Sequence, residues 1–279
     1  MSPPLTVLID PWRIDLLAWL HRAEARAVVR ELRAAGRIVY VRGFDRQNLP
    51  QAARILLRLS DPVMVDAVRA LVAAGIRYRG PGRDALERCY DKWCAYQLAE
   101  QAGIACPETR FAAEESGLRR PVVVKPRRGS DSIGMRVIRT GAIPANFRSE
   151  AVLVQPQIFG SELTVGVIDG MAGEPLKLEL ADGVPYSFAR KYFRPPNRAP
   201  LADRDLAAHV RHTALTAAQA LGVDWAARVD FIYERASGRL MFLECDAAPL
   251  VGPASAFAAS LSASGMARAE QLACILGDA

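Results

Sequence analysis

Arg228, Asp230, Glu244 and Asp246 fall at two-residue spacing within two apolar segments near the C-terminal end. Alternate residues of a strand share a face, so Arg228 and Asp230 point one way, and Glu244 and Asp246 likewise share a face. The stretch Glu234-Arg235-Ala236-Ser237-Gly238 joins the two segments and reads as a hairpin connection between strands at 226–233 and 240–244. Three carboxylates and one guanidinium then meet on one face. Carboxylates about 4 Å apart repel by about 4 kcal/mol at an effective dielectric of about 20. Arg228 offsets part of that repulsion. A hard divalent cation with oxygen-only ligands, Mg²⁺ or Mn²⁺ rather than Zn²⁺, offsets the rest. Phe231, Leu243 and Cys245 are expected on the opposite, core-facing side. A surface ladder of ion pairs competes with this reading, and the apolar flanks at 231–232 and 241–243 disfavour it.

A second segment runs Val122-Val123-Val124-Lys125-Pro126-Arg127-Arg128-Gly129-Ser130-Asp131-Ser132-Ile133-Gly134. A lysine ends a buried strand, and a loop of small residues leads into the next one. Gly129 and Gly134 let the backbone approach a ligand closely, and backbone N–H groups and hydroxyls can cradle phosphate oxygens. No Gly-Lys-Ser/Thr ending and no following helix occur, so this is not a Walker A loop. A third candidate is Lys191, set among aromatics in Phe188-Ala189-Arg190-Lys191-Tyr192-Phe193. It reads equally as a loop over an anionic substrate or as a solvated basic turn ahead of Pro195-Pro196.

The elements that must position these residues follow from periodicity. Residues 5–9 form a buried first strand, and a helix spans 14–35 with Leu16, Leu17, Leu20 and Val28 along its apolar side until Gly36 stops it. A strand at 38–41 and a helix at 63–74 follow. This alternation predicts a small parallel sheet. Leu86, Tyr90, Cys94 and Leu98 recur every four residues and predict one helix over 84–102. Period-two strands come next at 121–125, 134–138, 151–155 and 163–168, with a helix over 141–149. A helix over 203–221, the acidic hairpin and two short helices complete the chain. The fold class is therefore α/β (α+β), in three parts: an N-terminal α/β domain at 1–88, a central lobe at 89–158 carrying the small-residue loop, and a C-terminal lobe at 159–279 carrying the acidic strands.

Composition narrows the partners. The 279 residues carry a formal charge of +6, which suits an anionic partner. Nucleic-acid binding would need a basic stripe interleaved with aromatics or a recognisable module, and neither occurs. Five cysteines, an odd number without Cys-x-x-Cys, argue against a disulfide framework and fit a reducing compartment. His209 and His212 have helical spacing without a nearby carboxylate or thiol, so they read as a solvated face. No signal-like N-terminus and no bilayer-length apolar run occur, so no membrane contact and a cytoplasmic location are expected.

Taken in order, the segments resemble the ATP-grasp superfamily, most closely its D-alanine–D-alanine ligase branch, from about Tyr78 to the C-terminus. Tyr78-Arg79-Gly80-Pro81-Gly82 and Asp91-Lys92 resemble the mouth of the nucleotide site. Gln155-x-x-Ile158-x-Gly160-Ser161-Glu162-Leu163-Thr164-Val165 resembles the hinge strand. Arg228-Val229-Asp230-Phe231 and Glu244-Cys245-Asp246 resemble the metal strands. The resemblance implies an ATP-grasp fold in which the small parallel domain precedes two lobes that sandwich ATP. It implies an ADP-forming carboxylate–amine ligase working through an acyl phosphate, with small-molecule carboxylate and amine substrates of the amino-acid kind, and a homodimeric assembly as in many relatives.

It also implies roles. Lys92 and Lys125 would meet the nucleotide phosphates, with Gly129, Ser130 and Ser132 in a lid that excludes water. Gln155 and Ile158 would hold adenine and Glu162 the ribose. Lys191 would neutralise the γ-phosphate, Asp230, Glu244 and Asp246 would hold Mg²⁺, and Arg228 would stabilise the transferring phosphoryl group. Ser255 matches a serine that binds the second substrate's carboxylate. Asp246 replaces a usual Asn, Gln155 a frequent Glu, and Leu250 a usual Gly. Asp10-Pro11-Trp12-Arg13 replaces a Gly-rich loop with an acidic residue for the first substrate's amine, so Trp12 and Arg13 predict a larger or anionic first acid. Two alternatives remain open: a phosphotransferase or carboxyphosphate-forming enzyme on the same fold, and a non-catalytic nucleotide-binding protein.

Overall fold

β1 (Leu5–Ile9) is apolar at nearly every position and buried along its length, as a strand covered on both faces must be. The computed structural model, which describes residues 3–11, 15–114, 120–139, 141–181 and 183–278, places it at the centre of a parallel sheet. The connection after β1 crosses over through α1 (Leu16–Ala34), whose first turn is capped by the Asp15 carboxylate accepting from Ala18 N at 2.8 Å. β2 (Val39–Gly43) and β3 (Ile55–Arg58) flank β1 in the order β2-β1-β3. β3 has no counterpart in the sequence reading: it is four residues long, buried throughout and without alternation, so periodicity does not separate it from a helix fragment. α2 (Asp61–Ala73) follows it.

The single helix expected over 84–102 is two helices, α3 (Arg83–Tyr90) and α4 (Lys92–Gln101). Asp91 breaks the run. Its backbone is extended, its carboxylate accepts from Cys94 N at 3.3 Å, and Arg127 and Arg128 pair with it at 2.8 and 3.2 Å. The even apolar spacing hides the break because it runs on across Asp91, although Leu86 joins the core of the first sheet and Leu98 packs against another.

An antiparallel sheet follows, with β4 (Arg110–Phe111), β5 (Val122–Pro126), β6 (Arg136–Ile138) and β7 (Val152–Pro156) in the order β4-β7-β5-β6. The helix expected over 141–149 is only a 3₁₀ turn at Ala145–Phe147. Pro144 before it is held at φ −55° and ψ 143°, which is not helical. This sheet keeps a small core of its own, Ala112, Val122, Val124, Ile143 and Val154.

The largest sheet runs β11-β10-β8-β12-β13, with β9 on β8. Its strands are β8 (Gly160–Ile168), β9 (Met171–Ala172), β10 (Leu176–Leu178), β11 (Arg198–Pro200), β12 (Ala226–Glu234) and β13 (Leu240–Asp246). Phe188–Tyr192, read as a loop or turn, is a short helix α5. α6 (Arg204–Leu221) ends at Gly222 in the left-handed region, φ 75°. It packs with α4 on the apolar side of this sheet through Ala95, Ala99, Val210 and Ala217. α7 (Ala256–Ala263) and α8 (Arg268–Leu276) turn back to the first sheet, where Phe257, Leu261 and Ile275 share a core with Val7, Ile9 and Val28. Among the described residues no helix is long and apolar enough to cross a membrane.

Candidate functional site at the junction of two cavities

The acidic hairpin forms with Arg228 opposite Asp246 and Asp230 opposite Glu244. The register then slips between Asp230 and Phe231, so Phe231 faces Phe242 and Leu243 is the extra residue of a bulge. Leu243, expected in the core, therefore joins the wall of a cavity of about 140 Å³. Strict alternation along the strand cannot reveal this, because a bulge adds one residue to the count. Its carbonyl accepts from Tyr96 Oη at 2.8 Å, and Tyr96 Oη accepts from Lys125 Nζ at 2.6 Å. The bulge thereby fixes the lysine that ends β5.

Arg228 lies among all three acids. Its Nε donates to both Asp230 oxygens at 3.1 Å, its Nη2 reaches Glu244 Oε1 at 3.4 Å, and its Nη1 lies 3.6 Å from Asp246 Oδ2. Lys191 Nζ approaches Glu244 Oε1 at 3.2 Å. Thr164 Oγ1 donates to Asp230 at 2.7 Å, and Ala248 N donates to Asp246 at 3.0 Å. Burial works against the Glu244 charge, but Lys191, Lys92 and Arg228 outweigh it and hold its carboxyl well below the usual range. Burial, with Asp131 and Glu244 adding, lifts the Asp246 carboxyl even against Arg228. Among the described residues, no three His, Cys, Asp or Glu side chains lie close enough to hold a metal ion. The guanidinium takes the central position that the carboxylates share. The donors are all oxygen and converge on one positive charge, the donor chemistry that a hard divalent cation takes.

The smaller cavity is lined by Lys125, Gln155, Ile158, Glu162 and Ser132. Gln155 is buried and its Nε2 donates to Thr109 Oγ1 at 2.7 Å. Glu162 accepts from Tyr186 N at 3.2 Å, and burial pushes its carboxyl up to about 7. Burial pushes the Lys125 ammonium down to about 8. Lys92 opens α4 and its Nζ donates to the Gly129 carbonyl. Burial lowers its pKa too. Ser132 Oγ donates to the Tyr186 carbonyl at 2.9 Å, and Tyr192 Oη donates to Asp131 at 2.8 Å. The loop is thus fastened to α5 and the residues ahead of it. Asp131 and Ser132 both adopt φ 57°, and Ile133 N closes the turn on the Ser130 carbonyl at 3.1 Å.

The larger cavity, about 290 Å³, is lined by Arg228, Asp246, Ser255, Asp61 and His21 among others. Ser255 caps α7, its Oγ accepting from Ala258 N at 3.0 Å, so its hydroxyl proton is free for a ligand. Leu250 also lines this wall. Arg13 and Trp12 lie outside the described residues. Lys92, Ser130, Tyr186, Lys191 and Glu244 line both cavities. Sequence reasoning did not find Tyr96, Tyr186, Asp61 or His21. Asp61 and His21 reach the site from elements distant in sequence, whereas Tyr96 and Tyr186 lie within five residues of Lys92 and Lys191 but carry no motif that marks them.

Residues 93–276 match the family model described as D-ala D-ala ligase C-terminus. The D-alanine–D-alanine ligase of Laribacter hongkongensis is 30% identical over 249 residues, covering 80% of each chain. The chain belongs to the D-alanine–D-alanine ligase family. The corresponding ligase of Nitrosospira multiformis is 30% identical over 224 residues, 75% of this chain and 72% of the relative. The solved structure of the Bacillus anthracis D-alanine–D-alanine ligase superposes with a TM-score of 0.81 at 19% identity, covering 99% of this chain and 97% of that one. The same protein complexed with ATP superposes at 0.79. These likenesses establish the ATP-grasp fold expected from the motif order. As a member of the D-alanine–D-alanine ligase family, the chain is an ADP-forming ATP-grasp ligase.

Proposed function

We propose that the chain activates the carboxylate of one amino acid as an acyl phosphate and transfers the acyl group to the amine of a second. The observation that carries this reading is the shared wall. ATP in the smaller cavity and a carboxylate in the larger one would meet at Lys92, Ser130, Tyr186, Lys191 and Glu244. Two cavities joined at a cationic wall suit phosphoryl transfer between their occupants.

In this reading Lys125 and Lys92 hold the nucleotide phosphates, Gln155 and Ile158 the base, and Glu162 the ribose hydroxyls. Residues 129–134 form the lid. Asp230, Glu244 and Asp246 would hold Mg²⁺ (or Mn²⁺), which when bound neutralises charge on the phosphates. Arg228, released from the carboxylates, would turn to the transferring phosphoryl group together with Lys191. A carboxylate oxygen attacks the γ-phosphorus and ADP departs. The amine nitrogen then attacks the acyl carbon, the C–O bond to phosphate breaks, and the amine gives up a proton. Residues 1–88 would wall the substrate side, 89–158 would carry the lid and 159–279 the metal strands, in a cytoplasmic protein with small-molecule substrates. The test is incubation with ATP, Mg²⁺ and pooled amino acids, read by ADP release and product mass. Amide, ADP and phosphate in equal amounts are expected. A stable phosphoester would point instead to a phosphotransferase.

A further inference from the structure

Resting on the nucleotide reading of the smaller cavity, we propose that Tyr96 is a positioning residue: its hydroxyl, turned by the carbonyl of the β13 bulge, aims the Lys125 ammonium at the nucleotide phosphates.

A phenol has one proton, and here its direction is fixed. Tyr96 Oη donates to the Leu243 carbonyl at 2.8 Å. Leu243 is the extra residue of the bulge, and an unpaired residue leaves its carbonyl open to a side chain. The hydroxyl therefore offers only lone pairs to other partners. Lys125 Nζ donates to them at 2.6 Å. An ammonium can only donate, so the two groups fit in this one sense, and the bulge decides it.

The ring is placed independently of the hydroxyl. Tyr96 is 3% exposed and meets Phe242 edge to face, with centroids 6.0 Å apart at 83°. It stands four residues after Lys92 on α4, one turn along the same face. In the nucleotide reading, α4 supplies one lysine of its own and orients a second through the tyrosine.

Lys125 is a group that needs such a partner. It is 9% exposed, and burial opposes its charge. Glu244 of β13, Glu162 of β8 and Cys106 favour the charge, whereas Lys191 of α5 and Lys92 of α4 are like charges facing it. Among the described residues, the Tyr96 hydroxyl is the one acceptor within hydrogen-bond reach of Nζ. One proton of the ammonium is spent on it, which leaves two for phosphate oxygens and fixes where they point. The Gln155 amide reaches the same hydroxyl but keeps Thr109 Oγ1 at 2.7 Å. Removing the hydroxyl should therefore cost the phosphate end of the cavity more than the base end.

The experiment is Tyr96→Phe, which keeps the ring and removes the relay. Calorimetry should show ATP binding weakened about fivefold, with adenosine binding changed by about twofold or less. ATP affinity should also begin to fall at a lower pH than in wild type, because the ammonium has lost its acceptor. In a Lys125→Met background the same substitution should add nothing, since the tyrosine acts through the lysine. Equal losses for ATP and adenosine, an unshifted pH profile, or a full further loss on top of Lys125→Met would overturn the proposal. If Tyr96→Phe does not fold, replacing Tyr96 by 3-fluorotyrosine, a weaker acceptor on an almost unchanged ring, decides: the pH profile should move the same way by less, and an unmoved profile counts against the relay. No ATP binding by wild type would sink the nucleotide reading itself.

Discussion

The smaller cavity takes Lys125, Gln155, Glu162, Asp230 and Glu244 from β5, β7, β8, β12 and β13 of two antiparallel sheets, and Lys92 of α4, Lys191 of α5 and the loops around Ser130–Met135 and Gly183–Tyr186 close it. The larger cavity draws on α1, α2, α3, the 129–131 loop, α5, β13 and the turn before α7. One lies between the two antiparallel sheets, and the other draws on elements that meet only when the first and third sheets dock. The charge follows the same division. Lys125 faces the smaller cavity with burial as its main perturbation. The larger holds acids whose behaviour depends on one another. A nucleotide common to a whole family can be recognised by side chains set on strands, whereas a substrate that varies is met by helix ends and turns.

The largest test of this contrast is Arg228→Ala, at the seam. Turnover should fall by about 10³-fold. Three carboxylates would lose their shared counter-charge, so unfolding free energy should drop by about 3–5 kcal/mol. Thermal melts with and without MgCl₂ check the second part: Mg²⁺ should recover much of the loss in the variant and little in wild type. An unchanged melt without metal would show that the acids do not depend on Arg228.

Lys125→Met should weaken ATP binding about tenfold or more, read by calorimetry. The pH dependence has two opposite signs. Phosphate binding needs the ammonium, so ATP affinity should fall as pH rises through about 8. The folded-state pKa lies below the ordinary 10.5, so burial of the charge costs stability below pH 8. That cost is relieved as pH rises from about 8 towards 10.5. Lys125→Met should abolish both trends.

Glu162→Gln should cost ATP affinity about fivefold at pH 8, where the carboxylate is ionised. The penalty should shrink towards pH 6, because the folded-state carboxyl titrates at about 7. A penalty that is flat with pH would remove Glu162 from the ribose. The smallest effect belongs to Asp91→Ala. Loss of the α4 cap should lower stability by about 1 kcal/mol in denaturant titrations, with a modest rise in KM for ATP as Lys92 loses its anchor.

The acidic hairpin was legible because two-residue spacing in apolar strands places side chains without further information. Lys125, Gln155 and Glu162 were legible through the order of their segments. The Leu243 bulge was not, since a register slip leaves the composition of a strand unchanged. The break at Asp91 was masked by an apolar stripe that continues across it, although an Asp followed by Lys-Trp-Cys is an acceptable cap. β3 was too short to show a period. Asp61 and His21 sit in ordinary helical sequence, and only the docking of α1 and α2 against the hairpin side of the molecule gives them a common cavity. Long-range contact of this kind leaves no local trace.

The four-stranded β4–β7 sheet rests on five buried residues of its own. A body with so little interior gains little from local packing, and it is tied to the rest by Leu153 and Phe111 in the neighbouring core and by ion pairs such as Arg127 with Asp91. Its amide protons should therefore exchange with solvent sooner than those of β8 or β12 and become protected together when nucleotide binds. Loosening this plate as one piece would let spent nucleotide depart without disturbing the acids below, and the firmness of its clasp would then bear on how quickly one cycle can follow another.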